Sequence, residues 1–168
     1  MNEGRGLVVF FFFWNDEKIT AMTLANYVLE KAKESNIDVT NMKLQKILYY
    51  VQGHFLAKFD RPLFPDEIQA WKFGPVVPNV YYQFSPYGSE ALFTTEKADM
   101  SSCDPGEIEL IDSVIEKKLK LSARTLMLDT HSELPWIQVT QNGTRIEMNA
   151  VIDTDLIKQY FMSWENSQ

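Results

Sequence analysis

Cysteine and histidine are scarce in this sequence, which restricts the chemistry open to the protein. The 168 residues include one cysteine, Cys103, and two histidines, His54 and His131. A lone cysteine cannot form a disulfide within the chain, and this usage is typical of a reducing compartment. A tetrahedral zinc site would need carboxylates beside these residues, and neither H-E-x-x-H nor C-x-x-C occurs. We therefore expect no metal, no cofactor and a cytoplasmic location.

A membrane-spanning run of apolar residues is also missing. The apolar stretch Leu7 to Trp14 (LVVFFFFW) has eight residues, far short of the roughly 20 that cross a bilayer. No small-residue cleavage pattern follows it before Asp16, so it does not resemble a secretory signal. We interpret residues 1–21 as an apolar N-terminal extension, either a buried strand or an interface element, or as an added leader if translation begins at Met22. Residues 22–168 then form the main domain.

Positively charged residues are fewer than negatively charged ones: the sequence has 16 Lys and Arg against 23 Asp and Glu, which gives a net charge of -7. Such a field repels phosphate backbones, which argues against a nucleic-acid partner. One alternative stays open, because predicted helices at 24–35 and 41–58 have the outline of a helix-turn-helix. The second helix begins with residue types that read DNA bases, namely Asn41, Lys43, Gln45 and Lys46. The same residues also suit the solvated side of an amphipathic helix.

Catalytic motifs are absent from the sequence. It contains no phosphate-binding P-loop, no G-x-G-x-x-G and no G-x-S-x-G. Asp129, His131 and Ser132 have the residue types of a hydrolase triad. Adjacent residues of a helix project about 100° apart, however, so they cannot form a triad among themselves. We therefore predict that the protein is not an enzyme, and an enzyme acting around His131 stays as the alternative.

Helical periodicity is abundant. Thr40 is predicted to cap a helix over 41–58, whose apolar residues recur at helical spacing: Leu44, Ile47, Leu48, Val51 and Phe55. Further helices are predicted at 24–35 with Thr23 as cap, at 78–85, and at 123–133, where Pro135 ends the helix. Asp104, Pro105 and Glu107 have the pattern of a helix start, as cap, first residue and third residue of a helix that runs to about 120, and Asp153 is predicted to cap a last helix to about 163. Asn142-Gly143 indicates a turn, and residues 145–148 after it are predicted to pair with 68–73 as strands. The sum is a mainly α (α+β) fold, a single compact domain of five to six helices with a small two- or three-stranded antiparallel sheet.

The stretch from Met42 to Gly88, which contains the run WKFGPVVP, resembles the Panacea domain of the SocA-like antitoxin family, also seen in phage-associated proteins. Further matches in the second half extend the likeness over about residues 22–163. The matching residues are candidates for partner binding or for a signature scaffold: Lys43, Gln45, Lys46, Tyr49, Tyr50, Gln52, His54, Trp71, Lys72, Phe73, Gly74, Pro75, Val76, Pro78, His131 and Trp136. From the residues alone, 74–78 form a rigid corner from strand to helix, with Trp71 beside it.

The resemblance implies an antitoxin that neutralises a cognate toxin protein by direct binding. Two alternatives accompany it. One is a proteolytic adaptor that delivers the toxin to a protease, and the other is a DNA-binding, phage-associated regulator. No membrane partner is expected.

Overall fold

The computed structural model describes residues 19–167, which form seven α-helices and one two-stranded antiparallel sheet. The elements in chain order are α1 (Ala21–Glu34), α2 (Asn41–Phe59), β1 (Gln69–Trp71), β2 (Gly74–Val76), α3 (Pro78–Phe84), α4 (Pro105–Leu119), α5 (Ala123–His131), α6 (Leu134–Thr140) and α7 (Thr154–Glu165). A short 3-10 helix, Ser85–Tyr87, follows α3. The prediction of a mainly α fold with a small antiparallel sheet is confirmed. None of the helices described is both long and apolar enough to cross a membrane.

Helix α2 is the centre of the fold. It begins where predicted, because the Thr40 side chain accepts the backbone N–H of Lys43, and it ends at Asp60 in a left-handed conformation. The predicted apolar stripe is fully enclosed, and so are nearly all other residues from 41 to 53, with Met42 as the exception. Helices α1, α4, α5 and α7 and strand β2 all pack against it. The expectation that one side of this helix faces solvent is therefore wrong.

Helix α1 begins earlier than its sequence pattern indicated. The Thr20 hydroxyl, not that of Thr23, accepts the N–H that caps the helix, and Ala21 donates its N–H to a carboxylate oxygen of Asp66 at 2.9 Å. Ile19 and Ala21 are both buried in the core. The apolar run at residues 7–14 lies outside the described residues.

The sheet is a hairpin in which β1 and β2 are joined by a turn at Lys72 and Phe73. The predicted strand 68–73 therefore ends at Trp71, and 74–76 form a second strand where a corner was expected. Gly74 adopts a φ of 104° at the end of the turn, a conformation that L side chains rarely adopt. The predicted pairing with 145–148 is wrong, because residues 150–152 lie along β1 instead. There Ala70 donates to the Ala150 carbonyl and Ile152 donates to the Ile68 carbonyl, both at 2.8 Å.

The second half of the chain adds four helices around α2. Asp104 and Glu107 form the predicted reciprocal cap of α4. The single helix predicted at 123–133 is instead followed by another, α6, so residues 19–167 contain seven helices where five or six were expected. Pro135 does not end a helix here but lies in the first turn of α6. A proline is tolerated at this position because the N–H that it lacks would have no partner within the helix.

Candidate partner-binding groove

Two buried polar residues of α2 hold the hairpin by its backbone. The Gln45 Oε1 atom accepts the N–H of Val77 at 2.9 Å. The Lys46 Nζ atom donates to the carbonyl oxygen of Pro75 at 3.0 Å. Both side chains are about 1 % exposed. Because unpaired buried polar groups are costly, these bonds fix the second strand of the hairpin onto α2.

Two further polar residues of α2 bind backbone groups elsewhere. Lys43 donates to the carbonyl oxygen of Leu119 at 2.7 Å, at the end of α4. Gln52 accepts the N–H of Leu63 and donates to the carbonyl of Phe64, both at 2.8 Å. The residues proposed to read DNA bases are thus internal supports of the fold. The DNA-reading interpretation of Asn41, Lys43, Gln45 and Lys46 is therefore wrong, because all four are buried.

The surroundings of Lys46 leave no room for a side chain at position 74. A Cβ atom at Gly74 would lie 2.7 Å from the Cε atom of Lys46 and 2.7 Å from the Oγ1 atom of Thr130. Burial lowers the pKa of Lys46 from 10.5 to about 7, because the interior disfavours the charged amine. Lys46, Gly74 and Thr130 thus form one tightly packed junction of α2, the hairpin and α5.

Two ring systems support the hairpin from α5 and α6. The Trp136 indole donates its N–H to the carbonyl oxygen of Trp71 at 2.8 Å. The His131 ring stacks on Trp136 with centroids 3.9 Å apart. Burial, and next the nearby Lys46, lowers the pKa of His131. We interpret His131 and Trp136 as the residues that hold the hairpin turn in position.

The hydroxyl groups beside His131 are directed to backbone rather than to its ring. Thr130 donates to the carbonyl oxygen of Met127 at 2.8 Å, and Ser132 donates to that of Asp129 at 2.7 Å. The Nε2 atom of His131 is buried and has no hydrogen-bond partner among the described residues. This arrangement contains no hydroxyl-to-imidazole pair of the kind that activates a nucleophile.

A cleft of about 700 Å³ opens beside this junction, and we call it the hairpin groove. Its wall comes from the start of α2, the hairpin, the segment from α3 to residue 89 and the first residue of α5: Thr40, Asn41, Met42, Gln45, Lys46, Trp71, Lys72, Phe73, Val76, Tyr81, Ser85, Gly88, Ser89 and Ala123. The volume lies within the range of about 300–1,000 Å³ that is usual for binding clefts.

Exposed apolar side chains stand around the hairpin groove. Phe73, at the hairpin turn, is 51 % exposed and Met42 is 37 % exposed. Tyr82, which is 62 % exposed, packs its ring 5.9 Å from that of Trp71. Aromatic residues and methionine are enriched in protein interfaces, where they supply large contact areas.

A second group of signature residues lies at the packing of α2 against α7. Tyr49 and Tyr50 both donate to the carboxylate of Glu133, at 3.1 Å and 2.5 Å. Burial raises the pKa of Glu133 from 4.5 to about 7, although both phenols oppose this shift. The Lys118 Nζ atom lies 3.6 Å from the centroid of the Tyr50 ring. The group is an internal polar cluster, and a small cleft of about 280 Å³ borders it.

His54 lies at the edge of this second group. Its ring packs edge-on against Phe161 at 4.9 Å and against Trp164 at 5.3 Å. Its Nδ1 atom lies 3.2 Å from a carboxylate oxygen of Glu165. Burial lowers the pKa of His54, while Glu165 opposes that effect.

The candidate residues therefore divide by location. Six of them line the hairpin groove, namely Gln45, Lys46, Trp71, Lys72, Phe73 and Val76, and Gly74 packs against Lys46. His131, Trp136 and Pro75 support it, Pro78 begins α3, and Lys43, Gln52, Tyr49, Tyr50 and His54 serve other contacts of α2. The sequence reasoning did not single out Met42, Tyr82 or Glu133. The exposure of Met42 could have been predicted, because this apolar residue lies outside the apolar stripe of α2, where an exposed side chain is expected.

Comparison with known proteins gives two matches. A family model described as antitoxin SocA-like, Panacea domain, matches residues 44–137. The antitoxin SocA of Caulobacter vibrioides (strain NA1000 / CB15N) is 34% identical over 157 residues, which cover 86% of this chain and 84% of that protein. No solved structure matches the chain. The matched range contains the hairpin, α3, α4, α5 and most of α2, and so most of the hairpin groove.

Proposed function

Because this chain belongs to the SocA-like, Panacea-domain antitoxin family, we propose that it neutralises a cognate toxin protein in the cytoplasm by direct protein–protein binding. The observation that carries this proposal is the similarity to an antitoxin over most of both chains. Stoichiometric binding of the toxin is the simplest activity for a surface such as the hairpin groove.

The geometry of the hairpin groove supports binding as the mode of action. Its floor is held by buried hydrogen bonds from Gln45 and Lys46 to the hairpin backbone. Its rim carries Met42 and Phe73 with large exposed areas. A rigid floor reduces the entropy lost on association, and apolar rim residues supply contact area that is removed from water. Such a cleft is suited to capture of a protein segment.

The proposal is tested by expressing this chain together with each product of a neighbouring open reading frame. One neighbour should arrest growth when expressed alone, and co-expression with this chain should restore growth. The two purified proteins should then elute together from a sizing column. Rescue by no neighbour, or rescue without a complex, would contradict neutralisation by direct binding.

Toxin turnover separates binding from the adaptor alternative. After protein synthesis is stopped, direct binding predicts a toxin half-life that is unchanged or longer in cells that carry this chain. A shortened half-life that returns to normal when cellular proteases are deleted would instead support delivery to a protease.

A further inference from the structure

We infer that the hairpin groove takes an apolar segment of the toxin that also carries a carboxylate, with Lys72 and the starts of α2 and α5 receiving the negative charge. The inference rests on the proposed function, since it names the toxin as the occupant. It adds the contact surface and the chemistry of the segment that this surface recognises.

The hairpin groove differs in charge from the rest of the protein. The chain has a net charge of -7, yet the described residues that line the groove include no Asp or Glu, and the exposed charged residue among them is Lys72. Four other clefts each contain at least one carboxylate, for example Glu96, Asp99 or Glu133. On an acidic protein, a cleft free of acidic groups is complementary to an acidic ligand, because like charges facing each other would oppose binding.

Two helix starts add positive potential to the same cleft. Thr40, Asn41 and Met42 at the beginning of α2 line it, and so does Ala123, the first residue of α5. In α2, Thr40 satisfies only the N–H groups of Lys43 and Leu44, which leaves the amides of the first two helical residues for an outside acceptor. Such amides and the helix dipole favour negative charge.

The end of α3 lies at the same cleft, and two of its last four carbonyl groups are already hydrogen-bonded. The carbonyl oxygen of Tyr81 already accepts the Asn41 side-chain amide at 3.0 Å. The carbonyl oxygen of Tyr82 accepts the Ser85 hydroxyl at 2.9 Å. Each of these bonds offsets part of the negative charge that the bonded carbonyl group would otherwise present to the cleft.

The position of Lys72 links charge recognition to apolar recognition. Lys72 is exposed at the hairpin turn between Trp71 and Phe73, and its Nζ atom lies 5.4 Å from the centroid of the Phe73 ring. A segment that places an apolar side chain against Phe73 therefore brings its neighbouring residues within reach of the Lys72 amine. An Asp or Glu at such a position would form a partly desolvated ion pair, which is stronger than a pair in open solvent.

A nucleic acid is a poorer occupant than an acidic protein segment. Lys46 lies at the floor and is fully buried, so Lys72 is the exposed cation of the described lining. Nucleic-acid affinity depends on several phosphate contacts made by exposed cations. The apolar rim and the net charge of -7 both oppose that mode.

The test measures toxin affinity of the full chain for two groove variants and two matched controls. Lys72→Glu reverses the charge at the hairpin turn, and Phe73→Ala removes the rim aromatic. Lys97→Glu and Phe93→Ala make the same changes at exposed positions away from the groove, Phe93 being 66 % exposed. We expect each groove variant to raise Kd at least tenfold and each control to change it less than twofold. Increasing salt should weaken the wild-type complex more than the Lys72→Glu complex.

Each outcome decides one question. If the wild type binds the toxin and the groove variants bind equally well, the inference is overturned while the proposed function stands. If the wild type binds no toxin, both fail. If duplex DNA displaces the toxin at low salt, a nucleic-acid site replaces the inference.

If a groove variant does not fold, a crosslinking measurement tests the same contact. p-Benzoylphenylalanine introduced at position 73 of the full chain should crosslink to the toxin on irradiation, and at position 93 it should not. Equal crosslinking from both positions would overturn the assignment of the groove. Mapping the crosslinked toxin peptide should place an Asp or Glu within a few residues of the attachment point. A peptide without an acidic residue there would contradict the charge argument.

Discussion

The Nζ atom of Lys46 donates a hydrogen bond of 3.0 Å to the carbonyl oxygen of Pro75, so a fully buried lysine of α2 holds the second strand of the hairpin. This bond spans 29 positions of the sequence. The bond joins α2, which the apolar pattern of the sequence predicts, to the hairpin, of which the sequence predicts only the first strand. The floor of the hairpin groove depends on it.

The burial of Lys46 should give the protein a distinctive pH dependence. Its pKa in the folded state is about 7 against 10.5 ordinarily, so between these values the unfolded chain binds more protons. The free energy of unfolding should therefore rise from pH 7 to pH 9, by at most about 1.4 kcal/mol per pH unit from this residue. The stabilisation is lost as the pH falls toward 7. Urea unfolding at pH 7, 8 and 9 should show this slope, and Lys46→Met should reduce it.

Lys97→Met serves as the control for this slope, because Lys97 is exposed. The series stops at pH 9 because Tyr27, Tyr49 and Tyr50 have raised pKa values, which lower stability at higher pH. An identical slope in the wild type and Lys46→Met would show that Lys46 does not titrate in this range.

Replacing Gly74 with alanine should destabilise the hairpin. The new Cβ atom would lie 2.7 Å from both Lys46 and Thr130, at a φ of 104°. Strain of this kind costs on the order of 2–4 kcal/mol. Thermal or urea unfolding of Gly74→Ala measures it. Gly106→Ala is the matched control, because nothing lies within 4 Å of its added methyl group; equal stability loss in both variants would contradict the packing argument.

The contact between Gly53 and Phe161 should show strong energetic coupling. A Cβ atom at Gly53 would lie 2.2 Å from the Phe161 ring, so Gly53→Ala should cost several kcal/mol, on the order of 3 or more. Phe161→Leu should cost about 1–2 kcal/mol by itself. The double variant should lose less free energy of unfolding than the two single variants lose in total, because the smaller side chain makes room for the methyl group. Strictly additive losses in urea unfolding would argue that α7 shifts away instead.

The carboxyl group of Glu133 should produce the opposite pH slope from Lys46. Its pKa is raised from 4.5 to about 7 in the folded state, so the folded chain binds more protons between these values. This contribution is full below pH 4.5 and is lost as the pH rises through 7, a change on the order of 2–3 kcal/mol. The difference in unfolding free energy between Glu133→Gln and the wild type, measured from pH 4.5 to 8, isolates it from His54, whose lowered pKa acts in the other direction.

Glu109→Gln is the control for that measurement, since Glu109 is exposed on α4. Its difference from the wild type should stay constant over the same range. A constant difference for Glu133→Gln as well would mean that the carboxyl group is ionised throughout.

The sequence predicts α2 well because its evidence is local. The Thr40 cap and the apolar spacing lie within the helix itself, and they fix its start and its buried stripe. The burial of Gln45 and Lys46 is not local, because it depends on the hairpin that covers them. A periodic pattern identifies which side chains of a helix must be buried, but it does not exclude a neighbour that covers the polar ones as well.

Two errors in the second half have specific causes. Pro135 is compatible with either a helix end or a helix start, and only the extended conformation of Glu133 before it distinguishes the two. The strand expected at 145–148 was placed by the Asn142-Gly143 turn. The chain makes a further turn with Asn149 at a φ of 60° before it reaches β1, so the pairing begins at Ala150. Phe73, on the rim of the groove, is one of the residues that match the family signature, but its exposure is not predicted from the sequence.

The division between an internally bonded floor and an exposed rim also bears on how such a protein can diverge. Changes at Gln45, Lys46 or Gly74 disrupt bonds and packing within the chain, so selection for folding removes them whatever the partner is. Changes at Met42, Lys72 and Phe73 alter side chains that point outward, so only selection by the partner acts on them. A mutant library confined to the rim codons should therefore yield folded proteins with altered partner preference at high frequency, whereas one confined to the floor codons should yield mostly insoluble chains.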